Sequence, residues 1–275
     1  MTSPDFYHEA LAYDIAFADR DYALECDFLE WCLNHLGSAA KLGSHARSFL
    51  ELGCGPARHA REFARRNWRA VGLDLSDDML NYALEGAARD GVRIETVRAN
   101  MTDFTLDAPV AIAANLMESL THLITNEQVV AHFRTVARNL LPGGVFVIEM
   151  AHPDSIWRDN LPNTWVSHST DMPFFQHEPH TEVDVLFGAA DDPFDWVSQQ
   201  WLVTTRLRIR QENQPDRVIE ERHPHRWYLA QELNALTELS GAFASAHWFG
   251  NIILPTQPFD NTPDSDRMLL VLVKA

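Results

Sequence analysis

The feature that most constrains the fold is a short apolar stretch that runs directly into a pair of glycines. Residues 48–67 read SFLELGCGPARHAREFARRN, with Gly53 and Gly55 after the apolar run. Apolar residues then recur at helical spacing, and Pro56 stands where a helix tolerates a missing N–H. This order of elements predicts one strand–turn–helix unit of a parallel sheet. It places a ligand site at the carboxyl end of the strand.

The same alternation of strand and helix continues to residue 150. Strand-like segments are RAVGLDL, VRIETVRA, PVAIAAN and VFVIEM, and helix-like segments between them are DDMLNYALEGAARD and NEQVVAHFRTVARNLL. Repeated units of this kind predict a Rossmann-like α/β fold with a doubly wound, mostly parallel sheet. We expect N-terminal helices and the ligand-binding core to occupy residues 1–151.

The pattern changes to two-residue alternation in residues 152–227. In WLVTTRLRI, every second residue from Trp201 to Ile209 falls on one face, ENQPD follows as a turn, and RVIEERHPHRWY returns. This predicts an inserted antiparallel β cap, with a long irregular connection as the alternative. A helix in AQELNALTELSG and a strand in DRMLLVLVKA predict that residues 228–275 complete the core. Residues 250–266 between them are either a lid or a plain surface connection.

Net charge limits the kinds of binding partner, and cysteine content indicates the cellular compartment. Lys plus Arg is 22 and Asp plus Glu is 39, so the net charge is 22 − 39 = −17. This disfavours nucleic acid and anionic membranes. The three cysteines form no CxxC pair, and we find no basic, apolar leader and no long apolar run. We therefore expect a cytoplasmic protein. Its oligomeric state does not follow from the sequence.

The glycine turn lacks two features of a dinucleotide site. The G-x-G-x-x-G pattern requires a third glycine where Arg58 stands, and Pro56 removes one backbone donor that a pyrophosphate would use. Asp74 lies 74 − 53 = 21 residues beyond Gly53, where a carboxylate can accept from both ribose hydroxyls. The site therefore favours a nucleoside ligand without a pyrophosphate, such as S-adenosylmethionine, over NAD or FAD.

Four segments together resemble the class I S-adenosylmethionine-dependent methyltransferases. They are LELGCGPARHA, GLDLSDDML, VRANMTDF and LLPGGVFVIEM, and the resemblance covers residues 49–150 well and 228–275 loosely. It implies that the cofactor-binding residues are Glu51, Gly53 and Gly55 around the methionine part, Asp74 at the ribose, Leu75, Met79, Asn100 and Met101 at the adenine, and Asn115 and Leu116 near the transferred methyl. Asn100 and Ala57 depart from the usual aspartate and glycine. Each residue also has a structural alternative as turn, helix cap or core.

A second resemblance concerns residues 115–123, NLMESLTHL, which we call the acceptor segment. This segment and AYDIAFADRDYALECDFL resemble small-molecule N-methyltransferases, including those that act on amino sugars. His122 is the candidate catalytic residue, as a base or as a group that orients the acceptor; the alternative is a capping or solvent histidine. Candidate substrate residues are Tyr13, Tyr22, Glu118, His122, Arg226 and Tyr228.

The sequence thus predicts an enzyme that transfers a methyl group to a small molecule, with an amine favoured and a hydroxyl possible. The alternatives are an NAD-dependent oxidoreductase and a non-catalytic protein that binds S-adenosylmethionine. His177, His180, His223 and His225 lack the spacing of a metal site, so we expect no metal. A hydrolase is disfavoured because the G-x-S-x-G nucleophile motif is missing from the sequence.

Overall fold

The computed structural model describes residues 5–38, 42, 46–156 and 161–275, which divide into two units. The larger, which we call the α/β unit, comprises Asp21–Trp157 and Tyr228–Ala275. The smaller, the sheet unit, comprises Met1–Arg20 and Arg158–Trp227. Residues 1–20 thus group with the antiparallel strands, whereas the sequence analysis placed them with the cofactor-binding core.

The order of elements follows the predicted alternation. The described strands are β1 (Ser48–Leu52), β2 (Arg69–Asp74), β3 (Glu95–Arg98), β4 (Val110–Asn115), β5 (Leu140–Ala151), β6 (Asn163–His168), β7 (Thr181–Phe187), β8 (Phe194–Asp195), β9 (Gln200–Gln211), β10 (Arg217–Arg226), β11 (Ser245–Phe249) and β12 (Arg267–Val273). The described α-helices are α1 (Ala10–Ala16), α2 (Tyr22–His35), α3 (Arg58–Arg65), α4 (Asp77–Arg89), α5 (Asn126–Asn139) and α6 (Ala230–Ser240).

The α/β unit is built on one mixed sheet with the strand order β11-β12-β5-β4-β1-β2-β3. The neighbours from β5 to β3 are parallel, whereas β12 runs antiparallel to both β5 and β11. The strand order reverses direction between β1 and β4, which is where doubly wound sheets bind their ligands. The predicted doubly wound sheet is confirmed. Strand β11 was not anticipated from the sequence.

Helices cover both faces of this sheet. One buried cluster joins Phe28 and Leu29 of α2, Phe63 of α3 and Ala83 of α4 to the strands. A second cluster on the other side of the strands contains residues of α5 and α6. Every residue of β1 and β4 is buried, as expected for parallel strands covered on both faces. The carboxyl ends of these strands are therefore held on a rigid scaffold.

Helix α3 differs from its prediction at the start and on one face. It begins at Arg58, after Ala57 in a left-handed conformation, so Pro56 lies in the turn. Helix periodicity places Arg61 off the apolar face that contains Ala60 and Phe63, yet Arg61 is buried and its guanidinium pairs with Asp90 at 2.5 Å. A buried charge is tolerated because this carboxylate compensates it.

The sheet unit contains the antiparallel sheet β10-β9-β7-β6, with β8 paired to β9. Trp201 and Leu207 of β9 are buried, whereas the side chains of Arg206 and Arg208 are 46% and 49% exposed. The predicted alternation is confirmed. Residues 5–20 join this unit because Phe6 and apolar residues of α1 pack on the inner face of β7 and β9. Among the described residues, no helix is long and apolar enough to cross a membrane.

Candidate active site

The turn between β1 and α3, residues 53–57, which we call the glycine turn, uses left-handed backbone three times. The φ angles are +61° at Gly53, +47° at Gly55 and +54° at Ala57. A Cβ at residue 53 would lie 3.1 Å from both Cβ and Oγ of Ser119. The absence of a side chain at Gly53 therefore lets the turn and the acceptor segment approach closely.

Asp74, at the end of β2, is already oriented by the backbone. Its Oδ2 accepts a hydrogen bond from Gly55 N at 2.8 Å and its Oδ1 accepts one from Ser76 N at 2.9 Å. Burial raises the pKa of Asp74, and these hydrogen bonds oppose that shift. Each carboxylate oxygen can accept a second bond. The carboxylate thus has a fixed orientation and spare acceptor capacity for vicinal hydroxyls.

Glu51, near the end of β1, has a protein partner for each of its two carboxylate oxygens. Its Oε2 accepts from Ala60 N at 2.8 Å, and its Oε1 lies 3.0 Å from Nδ1 of His59. Ala57, which precedes α3, has no side chain that can cap the helix. Glu51 therefore caps α3 from the neighbouring strand and stabilises the helix start that follows the turn.

The residues expected at the adenine fall into different environments. Leu75 is 47% exposed, whereas Met79 is fully buried, as the core alternative requires. Asn100 is exposed, and its Oδ1 accepts from both N and Oγ1 of Thr102 at 2.9 Å. These two bonds use both lone pairs of the amide oxygen. Its expected bond to the adenine amino group would require Thr102 to release one of them.

A histidine that the sequence analysis missed supports Met101. His132 of α5 is fully buried, and its Nδ1 lies 2.8 Å from the Met101 carbonyl oxygen. Burial lowers the pKa of His132 to about 4, so the ring is neutral at pH 7 and donates from Nδ1. The signal in the sequence was weak, because His132 is a single polar residue on the apolar face of a helix.

Asn115, at the end of β4, carries an acceptor without a donor. The side chain is fully buried, its Nδ2 donates to Met101 Sδ at 3.4 Å, and its Oδ1 has no hydrogen-bond partner within the described residues. The same holds for Nε2 of His132. A buried acceptor without a partner is unfavourable unless a ligand or water donates to it. Leu116 beside Asn115 is buried as well.

The acceptor segment leaves β4 through two residues with side chains in left-handed conformation, Met117 at φ +52° and Glu118 at φ +60°. Such strain persists only where surrounding structure imposes it. Here Glu149 of β5, which is fully buried, accepts from Met117 N at 2.9 Å. Arg267 Nε lies 3.7 Å from the other oxygen of Glu149. The strained turn is thus tethered to the central sheet.

His122 ends a single 3₁₀ turn, Ser119–His122, and is half-buried. Leu123, which follows it, accepts a hydrogen bond at its carbonyl oxygen from the hydroxyl of Tyr228. Tyr228 is fully buried. Glu118 lies 4.0 Å from Arg267. The structure therefore fixes the backbone around His122 from both ends of the segment.

The other three candidate substrate residues are divided between the units. Tyr22 belongs to the α/β unit, where its ring lies edge-on to His59 with the centroids 5.0 Å apart. Tyr13 belongs to the sheet unit and packs against Phe6 and Phe17. Arg226 is also in the sheet unit and donates to Gln199 Oε1 at 3.5 Å. Their roles toward a substrate stay predictions.

The chemistry of the α/β-unit site fits an adenosine-type ligand that is rich in donors. Carboxylate oxygens of Asp74 and the amide oxygen of Asn115 are acceptors, suited to hydroxyl and amino groups. Arg58 occupies the third position of a dinucleotide fingerprint, and Pro56 offers no N–H. In the described ranges, no group of three or more His, Cys, Asp or Glu side chains is arranged to hold a metal ion.

Comparison with known proteins identifies the domain that contains the glycine turn. Residues 49–144 match a family model described as a methyltransferase domain. The N,N-dimethyltransferase of Streptomyces venezuelae named for dTDP-3-amino-3,4,6-trideoxy-α-D-glucopyranose is 28% identical over 193 residues, covering 65% of this chain and 75% of that protein. The chain carries a methyltransferase domain, and it is an S-adenosylmethionine-dependent methyltransferase.

Solved structures extend the likeness of this methyltransferase to almost the whole chain. DesVI of Streptomyces venezuelae superimposes with a TM-score of 0.71 at 20% identity, covering 97% of this chain and 98% of that one. CalS10, an amino pentose methyltransferase from Micromonospora echinaspora solved with S-adenosylmethionine bound, gives 0.64 at 18% identity and covers 96% of both chains. At these identities the likeness shows the shared fold.

These findings confirm the predicted enzyme class and its cofactor, S-adenosylmethionine. They do not favour an NAD-dependent oxidoreductase or a non-catalytic binding protein. The assignment of individual residues to the adenine, ribose, methionine part and acceptor stays a prediction.

Proposed function

We propose that this methyltransferase N-methylates the amino group of a deoxyamino sugar carried on a nucleoside diphosphate. The proposal is supported by the Streptomyces venezuelae relative, whose name specifies an amino sugar linked to dTDP and of which this chain covers 75%. The observation in the structure that carries it is the close approach of Gly53 to Ser119, which brings the acceptor segment against the glycine turn.

The reaction is an in-line displacement in which the bound cofactor supplies an electrophilic methyl group on a sulfonium. The protein must hold the acceptor lone pair behind that methyl and exclude water. We infer that Asp74 and the glycine turn bind the nucleoside end, while the tethered acceptor segment presents His122 to the acceptor. Because a neutral amine needs no base before attack, His122 only orients the amine, and the proton that the product ammonium releases passes to solvent after methyl transfer.

The proposal is tested by incubating the enzyme with S-adenosylmethionine and a dTDP-linked 3-amino-deoxy sugar. We expect S-adenosylhomocysteine to form and mass spectrometry to show one or two added methyl groups on nitrogen. The matched control is the same sugar nucleotide with a hydroxyl in place of the amine, which should not be methylated. Methylation of the control at a comparable rate, or of neither compound, would contradict the proposal.

A further inference from the structure

Three ionisable side chains form one continuous buried contact beside the glycine turn. His59 Nε2 lies 2.6 Å from Oε2 of Glu25, and His59 Nδ1 lies 3.0 Å from Oε1 of Glu51. The side chains are 1% exposed for His59, 7% for Glu25 and 8% for Glu51. Charges this far from water persist only when they are paired. We call this contact the Glu25–His59–Glu51 bridge.

The two carboxylates determine the protonation of the ring. A neutral imidazole has one N–H donor and one acceptor, so it would point a lone pair at one carboxylate. The imidazolium instead donates to both. Burial alone lowers the pKa of His59, but the hydrogen bonds to Glu25 and Glu51 outweigh it and raise the pKa to about 9.

The bridge joins three elements at the point where the chain enters the glycine turn. Glu51 precedes Gly53 by two residues on β1, His59 lies in the first turn of α3, and Glu25 lies in the first turn of α2. The second oxygen of Glu51 is held by Ala60 N. Removing His59 would leave Glu51 with a single tether and would leave the Glu25 carboxylate buried without its cation.

We propose that His59 is a positioning residue that holds the Glu51 carboxylate beside the glycine turn by bridging it to Glu25, and that cofactor affinity depends on this bridge. His59 thereby acts through Glu51 and is not itself a contact to the reacting atoms. The proposal concerns the binding of S-adenosylmethionine and does not depend on which acceptor is methylated.

Other titratable groups surround the bridge, and their own titration could contribute to a pH profile of cofactor binding. From α2 these are Tyr22, whose ring packs on His59, and Cys26, whose thiol lies 3.9 Å from the His59 carbonyl oxygen. From α3 itself, Glu62 and Arg66 pair with each other. Arg66 also pairs with Asp27 and Glu30 of α2. Burial raises the pKa of Cys26 far above its usual range, so this thiol stays neutral near pH 9.

The test measures S-adenosylhomocysteine binding by titration calorimetry from pH 6 to 10. It compares the parent enzyme with three variants, His59→Gln, Glu25→Gln and Cys26→Ala. A glutamine at 59 can donate to one carboxylate only, so we expect about 10- to 100-fold weaker binding at pH 7. Cys26→Ala is the matched control, because it removes buried packing on α2 beside the bridge and keeps the three side chains that form it. It should lower the melting temperature and leave affinity within about 3-fold.

The pH profile separates positioning from simple packing. In the parent enzyme, binding should be constant at neutral pH and weaken as the pH rises through about 9, where His59 loses its proton. Glu25→Gln removes one of the two charges that hold this proton. The decline in affinity should therefore begin at a lower pH in this variant. Nitrogen chemical shifts of the His59 ring should show an imidazolium at pH 7 in the parent.

Three results would overturn the proposal. The first is a folded His59→Gln variant that binds S-adenosylhomocysteine as tightly as the parent. The second is that Cys26→Ala and His59→Gln lower the melting temperature by the same amount and also weaken cofactor binding by the same factor. The third is a Glu25→Gln variant whose affinity declines with pH as in the parent enzyme. This variant decides the question if His59→Gln fails to fold. Failure to methylate an amino sugar would affect none of these measurements.

Discussion

The glycine turn and the acceptor segment both leave a parallel strand through left-handed backbone, but they use different residues to do so. Gly53 and Gly55 adopt this conformation without a steric penalty. Met117 and Glu118 adopt it with side chains attached, at a cost of about 1–3 kcal/mol each. The glycine turn thus has a side chain in left-handed backbone at one residue, Ala57, whereas the acceptor segment has one at each of two consecutive residues.

The two regions also differ in what holds them. At the glycine turn, the carboxylates of Asp74 and Glu51 accept bonds from backbone N–H groups within the turn and the helix that follows. The acceptor segment depends on Glu149, 32 residues farther along the chain, for its bond from Met117 N. Substitutions should therefore act on cofactor affinity in the first region, and on turnover of the acceptor in the second.

The largest effect is expected for Asp74→Ala. The substitution removes the hydrogen bond from the turn and the bonds that we predict to the ribose, each worth about 1.5–3 kcal/mol when charge-assisted. We expect S-adenosylhomocysteine to bind about 10- to 1000-fold more weakly in calorimetry, while circular dichroism shows an intact fold. Near-parental affinity in this variant would show that Asp74 does not bind the ribose. It would also contradict the expectation that substitutions at the glycine turn act on cofactor affinity.

Sequence reasoning was sufficient for the glycine turn because its signals are local. Gly53, Gly55 and Asp74 lie at the ends of adjacent strands, and their spacing is visible without tertiary structure. His59 and Arg61 were not recognised, because their partners, Glu25 and Asp90, lie 34 and 29 residues away. Helix periodicity was the only guide to this segment. This predicts which face a residue occupies but not whether a distant carboxylate compensates its charge.

The acceptor segment was located from a resemblance, but its geometry was not predicted. Neither Met117 nor Glu118 is a residue type that favours left-handed backbone, so the strain has no signature in the sequence. One usable signal was present in Glu149, a carboxylate that interrupts the apolar strand VFVIEM. A charged residue inside a buried parallel strand indicates a bound partner, here the backbone of Met117.

The second prediction tests the tether at Glu149 with a pair of substitutions. Glu149→Ala removes the acceptor for Met117 N, and we expect kcat to fall about 10- to 100-fold, since a charge-assisted bond of about 1.5–3 kcal/mol is lost. Glu149→Gln keeps a carbonyl oxygen and should retain most of kcat. Cofactor affinity should change little in either variant. If kcat falls equally in Glu149→Ala and Glu149→Gln, the ion pair between Glu149 and Arg267 matters, and the hydrogen bond from Met117 N does not.

The third prediction concerns His122. Positioning can supply about 7–11 kcal/mol of a two-reactant barrier, whereas a general base adds about 10²–10⁴ in rate. For an amine acceptor, His122→Ala should lower kcat about 10-fold, equally across the pH range, with cofactor affinity within a few-fold of the parent. A loss of about 10³-fold that follows a group titrating near its usual pKa of about 6.5 would instead indicate a hydroxyl acceptor.

The smallest effect, and the most direct test of the comparison, comes from opposite substitutions in the two regions. Glu118→Gly relieves left-handed strain of about 1–2 kcal/mol, and it raises the entropic cost of folding by about 0.5–1 kcal/mol, so stability should rise by about 0–1.5 kcal/mol. Its contact with Arg267, at 4.0 Å and partly exposed, contributes little. Gly53→Ala places a side chain at φ +61°, 3.1 Å from Ser119, and should destabilise by about 1–2 kcal/mol or more.

Denaturant unfolding of both variants, with the slope compared to that of the parent, measures these differences. The sign of each change carries the argument, because Glu118 has a side chain in left-handed backbone and Gly53 has none, so the two substitutions must change stability in opposite directions. Since cofactor binding stabilises the folded state, the measurement is made without S-adenosylhomocysteine. If Glu118→Gly destabilised the enzyme as much as Gly53→Ala does, the side chain of Glu118 would contribute more than its backbone conformation costs. The acceptor segment would then be held by side-chain contacts at residue 118 in addition to the bond from Met117 N to Glu149.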